Sequence, residues 1–342
     1  MIAADKATAS SAATTIITFR VGMALLASVI WLVGIFSFEP DAQRFAWLLG
    51  TPALLFFAAN TTFIFQGLEK LPIQTAITTF GVLLSAAAYF VFFKPGMFLG
   101  ADLIVITIVG GVTTTLGWGA YFLRFRSLPI GRLNWQRLTS MLRESRVYWL
   151  NAIVGNVYPP VQIFLLAYLS GFHANGIFRS ALSIAGAVEF MFGSISSLLL
   201  ARLVAWKRQG IPYMWQRQSQ LTIILGVLTL PMLIVLVPTA PLIYAVLLGA
   251  DFRDGVSVFQ IIIVGKFAVF LGQGYSWGLV AMQQGSKILQ IHLFVAALSL
   301  ILNIWLIPIW GINGAALALL STDIVYPVVC YFVLRSAVRK SV

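Results

Sequence analysis

The sequence predicts an all-α polytopic membrane protein of about ten transmembrane helices. Three observations lead there. Of the 342 residues, 60% are hydrophobic and only 9% are charged; soluble domains carry about 25% charged residues, and a chain this poor in charge cannot solvate its own surface in water. The apolar residues fall into continuous runs of about 20, the length that crosses the hydrocarbon core as a helix. Lys and Arg are distributed unevenly, so that connections between the runs are by turns rich in them and nearly free of them, which is the positive-inside pattern. Strands are excluded because the runs are long and unbroken rather than alternating.

The runs, in order, are helix A at 15–36, B at 45–67, C at 72–92, D at 100–123, E at 147–170, F at 176–202, G at 219–240, H at 256–281, I at 288–308 and J at 311–334. After D comes the most basic connection, with Arg124, Arg126, Arg132, Arg137, Arg143 and Arg146 against one acid, Glu144. Arg202, Lys207, Arg208 and Arg217 follow F. With the N-terminus in the cytoplasm, these residues and Lys6, Lys70, Lys287, Arg335, Arg339 and Lys340 all lie inside, and only Arg44, Lys94 and Arg253 lie outside. The pattern therefore predicts an inner (plasma) membrane protein with both termini cytoplasmic. Residues 1–14 are small and polar, so the first apolar run reads as a spanning helix rather than a cleavable signal.

Residues 1–123 form an N-terminal bundle (A–D), 124–146 a basic cytoplasmic linker, and 147–342 a C-terminal bundle (E–J). An internal echo supports the division. The stretch FQGLEKLPIQTAITTFGVLLSAAAYFVFFKPGMFLGADLIVITIVGG from Phe65 and the stretch MQQGSKILQIHLFVAALSLILNIWLIPIWGINGAALALLSTDIV from Met282 both run helix end, Gln-Gly, Lys, apolar helix, Gly-containing turn, Gly-Ala, helix. On this reading A–D match G–J, giving four plus six helices out of a six-plus-six parallel repeat.

Several function classes drop out. The formal charge of +12 does not indicate nucleic-acid binding, because the basic residues sit in loops between apolar runs. Cys330 is the single cysteine, so no intrachain disulfide forms. His173 and His292 read as isolated, and no His, Cys or acid cluster has metal spacing. There is no P-loop, nucleophile elbow or carboxylate pair, and no external loop is long enough to hold a catalytic domain. No enzyme, metal or cofactor is predicted.

Four stretches resemble the polysaccharide-biosynthesis flippases, the lipid-linked oligosaccharide (O-antigen type) exporters of the multidrug/oligosaccharidyl-lipid/polysaccharide superfamily. They are FFAANTTFIFQGLEKLPIQTAITTFGVLLSAAAYFVFF, the central VYWLNAIVGNVYPPVQIFLLAYLSGFHANGIFRSALSIAGAVEFMFGSISSLLLARL, PLIYAVLLGADFRDGVSVFQIIIVGKFAVFLGQGYSWGLVAMQQGSK and LILNIWLIPIWGINGAALALLSTDIV. The order and spacing of the Gly and Pro punctuation carry the likeness. Family members have twelve to fourteen helices, so this chain looks as though it begins at the third. The resemblance implies a transporter that moves a polyprenyl-diphosphate-linked oligosaccharide across the inner membrane by alternating access, working beside a polysaccharide polymerase or other assembly proteins. A drug/cation antiporter of the same superfamily and a non-transporting scaffold are the alternatives.

Such a carrier makes no bonds; its chemistry is charge and hydrogen bonding at membrane depth, where an ionisable side chain is costly. Lys266 lies near the middle of H and reads as a substrate contact, or as a structural partner of Asp323 in J. Asp323 and Glu189 are candidates for ion coupling. Arg179 and Arg20 suit a diphosphate, although both are near enough to helix ends to snorkel. Asn151, Tyr158 and Gln162 fall within about 20° of one direction on E and suit sugar hydroxyls, or else helix–helix hydrogen bonds. Pro159-Pro160 is expected to interrupt E beside them. Asn60, Gln66 and Gln273 are weaker candidates of the same kind.

Overall fold

The computed structural model describes residues 6–38, 41–67, 71–92, 101–125, 134–249 and 252–340. The described residues are helical and fall into two compact units, Met1–Arg143 and Glu144–Val342. In order they are α1 (Lys6–Phe38), α2 (Asp41–Leu48), α3 (Thr51–Ala58), α4 (Thr62–Gly67), α5 (Leu71–Phe92), α6 (Ala101–Phe125), α7 (Trp135–Arg208), α8 (Ile211–Leu247), α9 (Gly255–Ala281) and α10 (Gly285–Arg339). Six of the described helices are long and apolar enough to cross a membrane. Their apolar residues face outward in large numbers: Leu26, Val29, Ile30 and Val33 on α1, and Ile223, Val227, Leu228 and Ile234 on α8, are exposed. In water that surface would drive aggregation; in lipid it is the expected outer face. This is a multi-pass membrane protein.

Two of the helices are hairpins. α7 turns at Gly171 (φ 86°, ψ 166°), and its two arms are predicted helices E and F. α10 turns at Gly311 (φ 54°, ψ −128°), and its arms are I and J. Both turns need backbone angles that residues with a Cβ rarely adopt, so a single glycine replaces the longer connection expected between E and F. Past the second turn, a Cβ on Gly314 would stand 2.6 Å from the carbonyl carbon of Leu306. That explains the Gly-Ala pair of the second echoed stretch. The corresponding turn of the first, 93–100, lies outside the described residues.

Predicted helix B is corrected. It is not one continuous helix over 45–67 but three short pieces, α2, α3 and α4, broken near Gly50 and at Asn60-Thr61. The breaks strand carbonyls, and side-chain donors meet them. On α6, Thr107 donates to the Leu49 carbonyl (2.9 Å), Thr114 to Phe56 (3.1 Å) and Trp118 Nε1 to Ala59 (2.9 Å). Those donors are spaced seven and eleven residues from the first, which is one stripe of a helix. From α1, the Arg20 guanidinium donates to Phe57 (2.9 Å) and Asn60 (3.4 Å). Irregular backbone survives at membrane depth only with such partners.

A second correction concerns Pro159 and Pro160. Helical geometry continues through both, and the non-helical residue inside α7 is Gly171. Two adjacent prolines delete the amides that would bond Gly155 and Asn156, without forcing the chain out of the helix. The carbonyl of Gly155 therefore has no amide donor four residues on.

In the C-terminal unit α9 is the central helix, with Val258, Phe259, Ile262 and Ile263 fully buried. It packs along both α8 and α10. Gly265, Gly272 and Gly278 of α9 face Asp323, Pro327 and Leu334 of α10 in the same order, so the two run parallel and nearly backbone to backbone. A Cβ on Gly272 would strike the Pro327 ring. Gly272→Ala is therefore expected to lower stability in detergent by about 1–3 kcal/mol through overpacking. Gly186→Ala, where nothing lies within 4 Å, is expected to be neutral or stabilising. Equal unfolding midpoints for the two variants would contradict the close approach. In the N-terminal unit, Thr114→Val leaves the Phe56 carbonyl without its donor and is expected to cost about 1–3 kcal/mol, read as a lower midpoint or a lower yield of folded protein.

Candidate functional site

The absent side chain at Gly265 creates the centre of the C-terminal unit. A methyl group there would lie 2.9 Å from Asp323 Oδ2; without one, the Asp323 carboxylate seats against the backbone of α9. The next residue, Lys266, then reaches both acids: its Nζ is 3.4 Å from Asp323 Oδ2 and 3.9 Å from Glu189 Oε2. Asp323 is buried, with 8% of its side chain exposed, whereas Glu189 is 55% exposed. One cation is thus shared between an inner carboxylate and an outer one, and the cluster has one negative charge in excess when all three are ionised.

The three groups line a cavity of about 350 Å³. Both arms of α7, α9 and both arms of α10 contribute. The first arm of α7 gives Gly155 and Tyr158; the second gives Glu189. Along α9, Lys266, Val269, Gln273, Ser276 and Trp277 follow one another at helical spacing. The first arm of α10 gives His292 and Val295, and the second gives Thr322, Asp323 and Tyr326.

A network closes one side. Asn151 Nδ2 donates to the Gly285 carbonyl (3.4 Å), and Asn151 Oδ1 lies 3.0 Å from His292 Nδ1. The amide oxygen can only accept, so Nδ1 carries the proton and Nε2 of the neutral ring is an acceptor. His292 stacks on Tyr326 with ring centroids 5.3 Å apart, and Tyr326 donates to Ser276 Oγ at 2.9 Å. The chain Asn151–His292–Tyr326–Ser276 ties α7, both arms of α10 and α9 together. His292, read from the sequence as isolated, is corrected: it joins this network.

The structure brings together Lys266, Asp323, Glu189 and Tyr158 of the residues singled out by sequence, with Gln273 beside them. It separates the others. Asn151 is buried and spent on helix–helix bonds, and Gln162 Nε2 donates to the Ala315 carbonyl at 2.9 Å, so of that stripe Tyr158 alone lines the cavity. Arg179 is exposed on the second arm of α7 and is not among the lining residues. Arg20 belongs to the N-terminal unit, where it serves the broken helix and lies over the Phe63 ring (5.1 Å). Asn60 Oδ1 accepts from the Thr62 amide at 2.7 Å and starts α4. The side chain of Gln66 lies outside the described residues. Sequence reasoning missed Ser276, Trp277, Thr322, Tyr326 and His292. The signal was available on α9, where Lys266, Gln273, Ser276 and Trp277 share one helical face of an otherwise apolar run.

The fold is similar to that of solved transporters. It superposes on an outward-facing multidrug-resistance MATE transporter of the MOP superfamily with a TM-score of 0.74, at 14% identity, covering 99% of this chain and 81% of that one. An inward-facing structure of such a transporter matches with a TM-score of 0.72, at 13% identity over 97% of this chain and 83% of that one. A MOP-superfamily transporter from Pyrococcus furiosus, described as having a binding pocket of reversed polarity, matches at 0.73, with 12% identity over 96% and 79%. No protein-family model and no curated protein matches the sequence. The architecture is therefore that of the MATE transporters of the MOP superfamily.

Three variants separate the roles within the charge cluster. Lys266→Met strands the buried Asp323 carboxylate and is expected to cost up to about 3–5 kcal/mol, whereas the double variant Lys266→Met/Asp323→Asn recovers most of the loss. Glu189→Gln, at an exposed position, is expected to cost less than about 1 kcal/mol. Unfolding of the purified variants in detergent checks all three, and a double variant no better than Lys266→Met alone would contradict the pairing.

Proposed function

We propose that this chain is a carrier that moves a polyprenyl-diphosphate-linked oligosaccharide from the inner to the outer leaflet of the inner membrane by alternating access, for surface polysaccharide assembly. The observation that carries the reading is the meeting of two unlike surfaces at Tyr158. On one side lies the cavity of Lys266, with hydroxyls, an amide and an imidazole around it. On the other is an apolar groove of about 380 Å³ between the first arms of α7 and α10, with Val157, Val161, Leu293 and Leu300 on its walls. Tyr158 borders both. An amphiphile needs that combination: a hydrated head taken out of water by charge and hydrogen bonds, and a hydrocarbon chain left in a greasy setting.

In this reading Lys266 is the phosphate contact. An arriving diphosphate competes with Asp323 and Glu189 for the ammonium, and charge-assisted bonds to phosphate are strong enough to win part of it. Tyr158, Gln273, Ser276 and Thr322 serve the sugar hydroxyls, and the Gly155 carbonyl adds an acceptor that no side chain has to supply. Asp323 and Glu189, released from Lys266, become the sites where a proton or cation can balance the cycle. Both termini lie in the cytoplasm on this proposal, residues 124–146 anchor the basic side against anionic lipid, and polymerase or other assembly proteins receive the product outside.

A second reading, drug/cation antiport, has its own support. The acids outnumber the base, and Tyr158, Trp277, His292 and Tyr326 supply aromatic faces that attract cations. One experiment divides the two. In cells that need this protein for surface polysaccharide, Lys266→Ala is expected to cut surface sugar per folded protein at least about tenfold, the loss of one charge-assisted contact, without changing efflux of cationic dyes per folded protein. Unchanged surface sugar removes Lys266 from the mechanism. Dye efflux abolished by Asp323→Asn, with surface sugar intact, selects the antiporter.

A further inference from the structure

A second concavity lies where α7 and α9 end together, away from the Lys266 cavity. It encloses about 430 Å³, and its lining is divided. Leu200, Val204 and Val280 make one half; Lys207, Arg208 and Gln283 make the other. No carboxylate lines it.

The polar half is built from helix ends. Ala281 is the last residue of α9, and its carbonyl is one of those a helix leaves without an amide. Lys207 Nζ donates to it at 2.9 Å, a cation held at the negative end of a helix. That bond takes one of the ammonium's three donors and leaves two for a ligand. Arg208 beside it is exposed. Gln283 sits in the following turn with φ 60°, the one described non-glycine residue with positive φ, and that turn brings it to the same rim. The apolar half continues directly along α7 and α9 toward membrane depth, one and two turns from the cations, with Val204 37% exposed.

We propose that this pocket binds an anionic glycerophospholipid, with its phosphate on Lys207 and Arg208 and an acyl chain along Leu200, Val204 and Val280. The charge of the rim selects the anion. The apolar wall selects a lipid over free phosphate, which would touch the rim alone and leave the wall unused. Basic pockets between helices at the membrane surface bind lipid head groups for the same reason. The site is independent of the transported substrate. It joins the end of the α7 hairpin to the C-terminus of α9, so occupancy stabilises the folded unit by ligand linkage.

The test uses the purified full-length chain in a neutral detergent. Thermal unfolding is followed while phosphatidylglycerol, phosphatidylcholine of the same acyl chains, or inorganic phosphate is added. Phosphatidylglycerol alone is expected to raise the midpoint, and native mass spectrometry to retain one lipid per chain. Arg208→Gln is expected to raise the phosphatidylglycerol concentration for half-effect by roughly fivefold, the weight of one basic residue at a membrane surface. Lys207→Gln/Arg208→Gln is expected to abolish the response. An equal shift with phosphatidylcholine or with inorganic phosphate would overturn the proposal, and so would a full response in the double variant. Should the double variant not fold, because Lys207 also caps α9, an unchanged half-effect concentration in Arg208→Gln overturns it alone.

Discussion

A charged amine in the middle of a membrane helix must be compensated, and here the compensation organises the C-terminal unit. Lys266 lies between the buried Asp323 and the more exposed Glu189. That placement needs α10 close enough for Asp323 to touch the backbone of α9, hence the glycine at 265. It needs the second arm of α7 folded back to deliver Glu189, hence the glycine turn at 171. The apolar packing of Phe259, Ile262 and Ile263 on the same helix holds the geometry. Removing Lys266 leaves the buried Asp323 desolvated without a partner, so this inner pair and the helix packing stand or fall together.

The long helices could be read from the sequence because lipid imposes a simple code: about 20 apolar residues per crossing, with charge at the ends. What that code does not carry is where a crossing is allowed to break. Helix B is as apolar as its neighbours, yet it divides into three, because Thr107, Thr114, Trp118 and Arg20 supply donors from other helices. Those donors are distant in sequence, and nothing within residues 45–67 announces them. The opposite error arose at Pro159-Pro160, a local breaker signal that tertiary packing overrides.

The site was partly visible. Ionisable residues in apolar runs stand out because they are expensive, and Lys266, Asp323 and Glu189 prove to be neighbours. Neutral polar residues do not stand out in this way. Asn151 and Gln162 share a face with Tyr158, but a face can be turned toward a neighbouring helix as easily as toward a cavity, and both amides are consumed by backbone carbonyls. His292 was missed for the converse reason. A single imidazole in an apolar run has no sequence partner, and its role emerges from Asn151 and Tyr326, which lie far away along the chain.

The paired prolines of α7 have a consequence for how this protein is dissected. Since the helix runs on through them, they take away the i+4 amide from one peptide oxygen, that of Gly155, in a residue lining the cavity. Alanine scanning is blind to such a group: no side chain carries it, no protonation alters it, and every substitution at 155 keeps it. The informative change lies one turn away, where putting back an N–H at 159 would silence the acceptor and leave the chemistry of every neighbouring side chain as it was.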